Sequence, residues 1–102
     1  MYRLEYLPLA RKDMVDIIQY ISLDLCNPDA AGKLAEELIK AAENVLAFPY
    51  RTPVHMSIRP LKHEYRKIIV KNYMMFYWIE EQTKTVTIAR VLYYKRNQKK
   101  LL

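Results

Sequence analysis

Arginine and lysine side chains punctuate the last third of this chain at intervals that would bring them together on neighbouring strands. Arg66 and Lys67 sit at the head of one apolar run, Lys71 follows it, Arg90 interrupts another, and Lys95 and Arg96 come just beyond. Clustered guanidinium and ammonium groups suit phosphate, because they neutralise charge and, for arginine, donate two parallel hydrogen bonds. Tyr93 and Tyr94 stand between the last run and the basic tail, where a phenol can stack on a base or hydrogen-bond a phosphate or 2′-hydroxyl. The solvated edge of an ordinary sheet would carry a similar pattern. Arg90 argues against so plain a reading: it lies between Ala89 and Val91 in an apolar strand. A charge in that position needs a partner, for which Glu64, Glu80 or a ligand anion are the candidates.

Other chemistries find little support. His55 and His63 lie near a proline-rich stretch without metal-ligand spacing, so no metal site is expected and both read as surface loop histidines. Ser22 and Ser57 have no recognisable nucleophile context, and one glycine in 102 residues rules out a glycine-rich phosphate loop. No cofactor is expected. Cys26 is the only cysteine, which excludes an intrachain disulfide or thiolate zinc site. Its helix-end position suggests a packing role. Of the nine tyrosines, Tyr2, Tyr6 and Tyr20 read as packing residues. Seventeen Lys and Arg against eleven Asp and Glu give a net charge of +6, which favours an anionic partner. No apolar run reaches the roughly 18 residues a membrane span needs, and the chain opens without a signal-type stretch, so an unprocessed cytoplasmic protein without a membrane partner is expected.

The elements that must position these groups follow from hydrophobic periodicity. Tyr2, Leu4 and Tyr6 alternate with Arg3 and Glu5 as in a short half-buried strand stopped by Pro8. From Leu9 to Leu25 the apolar residues Ala10, Met14, Ile17, Ile18, Ile21 and Leu25 recur at helical spacing, with Asp13 assigned to the polar side. Asn27-Pro28-Asp29 ends that helix and starts a second, which carries Leu34, Leu38, Ala42 and Val45 and runs to Phe48-Pro49. The short link predicts an antiparallel helical hairpin. Pro49, Pro53 and Pro60 then mark an irregular connection with a short edge strand at Val54 to Ile58. Tyr65 to Val70, Tyr73 to Ile79 and Thr85 to Leu92 read as consecutive strands joined by hairpins, the middle one apolar on both faces as in a central strand. The expectation is a single α+β domain spanning 1–102: an N-terminal strand and a helical hairpin packed on one face of a mostly antiparallel sheet of four or five strands.

The order Tyr65-Arg-Lys-Ile-Ile-Val, Asn72-Tyr73, Phe76-Tyr77, Val86-Thr-Ile-Ala-Arg-Val-Leu and Lys95-Arg96-Asn97 with a closing Leu-Leu resembles the RelE/ParE superfamily of bacterial type II toxins, over essentially the whole chain. The resemblance implies a toxin neutralised by a cognate antitoxin that is usually acidic where it binds, the complex binding operator DNA through the antitoxin. It also implies one of two mechanisms. ParE-like members inhibit DNA gyrase by binding; RelE-like members cut mRNA in the ribosome. After Asn72-Tyr73 the RelE pattern expects arginine where this chain has Met74, and a second lysine where it has Ile68. The ending Arg90-Val-Leu-Tyr-Tyr-Lys-Arg-Asn is closer to the ParE form, so gyrase inhibition is slightly favoured. Ribosome-dependent mRNA cleavage is the enzymatic alternative, and a non-toxic nucleic-acid-binding module is the third reading. For an RNase the resemblance makes Arg66, Arg90 and Tyr94 the catalytic candidates. Lys67, Lys71, Tyr93, Lys95 and Arg96 are then the target- or RNA-binding residues.

Overall fold

A computed structural model describes residues 1–56 and 62–93. Along the chain run β1 (Arg3–Tyr6), α1 (Pro8–Gln19), a π-helical turn (Tyr20–Asp24), α2 (Pro28–Val45), β2 (Arg66–Val70), β3 (Tyr73–Glu80) and β4 (Thr85–Tyr93). The strands form one sheet in the order β1-β4-β3-β2. β1 runs parallel to β4, with Arg3 opposite Thr85, and the other two pairs are antiparallel. β3 and β4 are therefore central, which explains why Tyr73 to Ile79 carries apolar residues on both faces.

Local chemistry sets the element ends. Pro8 occupies the first turn of α1, where its missing N–H costs nothing. The Asn27 side chain accepts a 3.2 Å hydrogen bond from the Ala30 N–H, and Asp29 in the first turn complements the dipole of α2. The first helix departs from its expected course. Its regular part ends at Gln19, and the wider π-helical turn rotates the residues beyond it away from the periodic stripe. Leu25, expected in the core, is accordingly exposed; Tyr20, expected to pack, is exposed too, while Tyr2 and Tyr6 do pack against the core. Cys26 follows in the left-handed region at φ 52° and is exposed, so the packing role expected of it is not realised. Of the edge strand expected at Val54 to Ile58, a single bridge from Val54 to Arg66 is present among the described residues; Ser57 and Ile58 lie outside them.

The main core lies between the helical hairpin and the sheet, around Leu38, Met75, Tyr77, Val86, Ile88 and Val91. A second, smaller cluster of Met74, Phe76 and Leu92, flanked by Tyr65, occupies the opposite face. Among the described residues no helix is long and apolar enough to cross a membrane.

One irregularity organises the end of the sheet. Phe76 pairs with Arg90 but Tyr77 pairs with Ile88, so Ala89 is an extra residue in β4, a β-bulge. Without it, strict alternation would align Arg90 with Val86 and Ile88, which face the main core. The bulge takes Arg90 out of that line. Its Nε and NH2 instead donate to the two carboxylate oxygens of Asp13 at 2.7 and 3.0 Å. The same carboxylate accepts from the Val91 N–H at 3.0 Å. β1 ends at Tyr6, opposite Ile88, so Asp13 of α1 satisfies a backbone donor that no strand reaches. The partner of Arg90 is thus Asp13, not Glu64, Glu80 or a ligand anion. Replacing Asp13 with Ala leaves a largely buried guanidinium unpaired and the Val91 N–H without its acceptor, at a cost of about 2–4 kcal/mol. Urea unfolding should show that loss, and a smaller one for Asp13→Asn, which keeps one acceptor oxygen.

Candidate functional site

Of the cations singled out in the sequence, the described Arg66, Lys71 and Arg90 are each engaged by a different part of the protein. Arg66, the first residue of β2, turns toward the connection after α2. Its NH1 donates to the carbonyls of Tyr50 and Thr52 at 3.0 and 2.5 Å, and its guanidinium lies 5.1 Å from the centre of the Tyr50 ring. The Glu64 carboxylate is 3.8 Å from NH2. Lys71, in the β2–β3 turn at φ 54°, lies 3.6 Å from Glu37 of α2. Arg90 is held by Asp13. Tyr93 ends β4 edge-on to Tyr73, ring centres 5.7 Å apart. Tyr94, Lys95 and Arg96 lie outside the described residues. Of the four described cations, Lys67 alone has no carboxylate or carbonyl partner among the described residues.

Lys67 sits opposite Phe76 on the face away from the helices. That face is aromatic and apolar. His63 stacks on Trp78 at 3.9 Å with the rings 3° from parallel, and Tyr65 meets Trp78 edge-on at 5.8 Å. His55, expected on the surface, is buried, its ring edge-on to Phe76 at 4.9 Å. Two backbone bonds draw it in: its N–H donates to Tyr65 O at 2.7 Å, and the Lys67 N–H donates to Pro53 O at 3.2 Å. Burial, aided by the Lys67 charge, pushes the His55 pKa down and favours the neutral ring. Met74 and Leu92, cross-strand partners, close the same face farther along.

The residues that the sequence reading overlooked are those of the connection Phe48–Met56. It is fixed from several sides. The buried Tyr77 hydroxyl donates to Pro49 O at 2.6 Å and also meets the Thr52 hydroxyl. Arg66 binds two of its carbonyls, and the Tyr50 hydroxyl donates to Glu81 in the β3–β4 turn. Glu81 further accepts from the Tyr2 hydroxyl at 2.8 Å and from Lys84 Nζ at 2.6 Å. One signal was available: Arg66 and Tyr77 are cross-strand partners, and each carries a donor suited to the carbonyls of a proline-rich loop. A groove of about 1100 Å³ was equally unforeseen; it runs between the hairpin and the ends of β3 and β4, past Ile17, Tyr20, Ile21, Leu34 and Tyr73.

With this geometry established, comparison with known proteins assigns the class. Residues 4–98 match the family of the ParE toxin of type II toxin-antitoxin systems, and the chain belongs to that family. Its fold is that of the RelE/ParE toxins. A chain of the chromosomal ParDE system of Pseudomonas aeruginosa is similar at TM-score 0.70 and 17% identity, over 91% of this chain and 96% of that one. A chain of the RelBE2 toxin-antitoxin complex of Mycobacterium tuberculosis gives 0.64 and 18%, over 90% and 96%. The isolated RelE toxin of Escherichia coli gives 0.64 and 18%, over 96% and 89%. No curated protein sequence matches the chain.

The Glu81 cluster makes a prediction for pH. Hydrogen bonds from Lys84, Tyr50 and Tyr2, in that order of strength, hold its carboxyl at about 2, below the ordinary 4.5. A carboxylate with a depressed folded pKa contributes its stability fully above the unfolded value and loses it as pH falls toward the folded one. The melting temperature should therefore fall between about pH 5 and pH 2 by more in the wild type than in Glu81→Gln. Parallel curves for the two proteins would contradict this role for the carboxylate.

Proposed function

We propose that this chain arrests growth by binding DNA gyrase, as a ParE-type toxin, and is kept inactive in the cytoplasm by a cognate antitoxin. The observation that carries the reading is what the cations do. A nuclease that cuts RNA by 2′-hydroxyl attack must gather unpaired positive groups around the phosphate in flight. Among the four described cations, Arg66, Lys71 and Arg90 are engaged by Tyr50 and Thr52 carbonyls, by Glu37 and by Asp13, which leaves Lys67. Met74, Phe76 and Leu92 make the intervening face apolar. Such a surface supports gripping a protein better than stabilising a phosphorane. Membership of the ParE family supports the same choice of target.

An antitoxin partner is supported by the family and by solved relatives that are toxin-antitoxin complexes. The net charge of +6 suits an acidic antitoxin segment through electrostatic complementarity. In this reading operator DNA is contacted only through the antitoxin complex.

Pulse-labelling of new DNA and new protein in the first minutes after induction, in bacteria without the antitoxin, tests the proposal. DNA synthesis should fail first. A collapse of protein synthesis ahead of DNA synthesis would overturn it in favour of ribosome-dependent mRNA cleavage.

A further inference from the structure

His55 is a buried polar side chain with nothing to bond to. It is 6% exposed, and neither ring nitrogen has a hydrogen-bond partner among the described residues. Buried polar atoms are nearly always paired, so two left empty on one ring call for an explanation. The ring lies on the helix-free face of the sheet, edge-on to Phe76 of β3. The two backbone bonds that flank it, His55 N–H to Tyr65 O and Lys67 N–H to Pro53 O, close Pro53–Met56 onto the edge of β2. Upstream the loop is held separately, by Tyr77 and Arg66 on the carbonyls of Pro49, Tyr50 and Thr52.

A neutral imidazole tolerates an apolar seat. An imidazolium has two N–H donors and a charge, and it needs acceptors for both. The groups around His55 supply none. Lys67 of β2 is itself a cation, and among the described residues it is the one charge that acts on the ring. Phe76 is apolar, and burial keeps the phenol of Tyr65, packed against the same cluster, in its neutral form. Residues 57–61 and 94–102 lie outside the described residues, and neither segment contains an Asp or Glu. We infer that His55 is a proton-operated latch: neutral, its ring seats Pro53–Met56 against the helix-free face; protonated, it leaves that seat and takes this stretch of loop with it. Acidification then uncovers Phe76 and the edge of β2 beside Lys67, while Tyr77 and Arg66 keep the first half of the loop in place. The device goes beyond the choice of target and holds for either mechanism of toxicity.

Burial first, and then the Lys67 charge, lower the folded pKa of His55 below the ordinary 6.5. The closed loop therefore has its full stability above about pH 6.5 and loses it as pH falls from there toward the folded value. Amide hydrogen exchange followed by NMR on the intact chain, from about pH 7.5 to about pH 5, tests the inference. Corrected for intrinsic exchange rates, protection of the His55 and Lys67 amides should fall several-fold in the wild type, with the midpoint of the His55 ring titration. His55→Phe, which removes both orphan nitrogens, and His55→Gln, which cannot titrate, should keep these amides equally protected across the range; His63→Gln should respond as the wild type does. At every pH the two amides should exchange faster than that of Leu38 in the core, the mark of a local opening. Flat protection in the wild type overturns the inference, as does an undiminished fall in a folded His55 variant. Two wild-type results, which depend on no variant, also overturn it: a His55 ring that ionises while both amides stay protected, and loop amides as protected as that of Leu38.

Discussion

The carboxylate of Asp13 joins the two layers of this fold where the sheet has run short of strands. β1 has four residues and β4 has nine, so the β1 edge of β4 beyond Ile88 has no strand beside it. A side chain from α1 takes over, accepting from the Val91 backbone and from both donor positions of Arg90. Charge-assisted bidentate pairs have fixed geometry as well as strength. This one fixes the helical hairpin against the bulged end of β4 and forms part of one wall of the large groove. It also determines that Arg90 is committed to the protein's own interior.

Two other described cations are committed in the same way. Arg66 holds the loop after α2, and Lys71 faces Glu37 of the helix above it. A basic sheet can look like a phosphate site when read as a string of residues. Among the described residues Arg66, Lys71 and Arg90 are held by carbonyls and carboxylates, and what remains is Lys67 on an aromatic, largely apolar face and a loop with exposed Phe48, Arg51 and Met56. Surfaces of that kind derive affinity from a few well-seated anchors and need no catalytic group.

Much of the fold was legible because it obeys periodicity. The second helix kept its stripe from Leu34 to Val45, and the three C-terminal strands fell within a residue or so of their expected bounds. The failures occurred where a local device overrode the period. The π-helical turn moved Leu25 outward, and the bulge at Ala89 changed which residues of β4 face the helices. Neither device has a sequence signature strong enough to read. Asp13 was legible in principle. It lies three residues after Ala10 and four before Ile17, within the buried stripe of α1, and Arg90 interrupts an apolar strand. Two opposite charges, each out of place in its own element, satisfy one another. His55 was misread for the opposite reason: a histidine in a proline-rich loop looks exposed until backbone bonds draw it under the sheet.

The central claim, that the protein works by gripping a protein target and not by cutting RNA, is tested most directly with purified components. The toxin is titrated into a DNA gyrase supercoiling reaction and, in parallel, into translating ribosomes programmed with a defined mRNA. The account predicts that supercoiling stops while the mRNA remains intact. Cleavage of the mRNA at the ribosome, with supercoiling untouched, would contradict it.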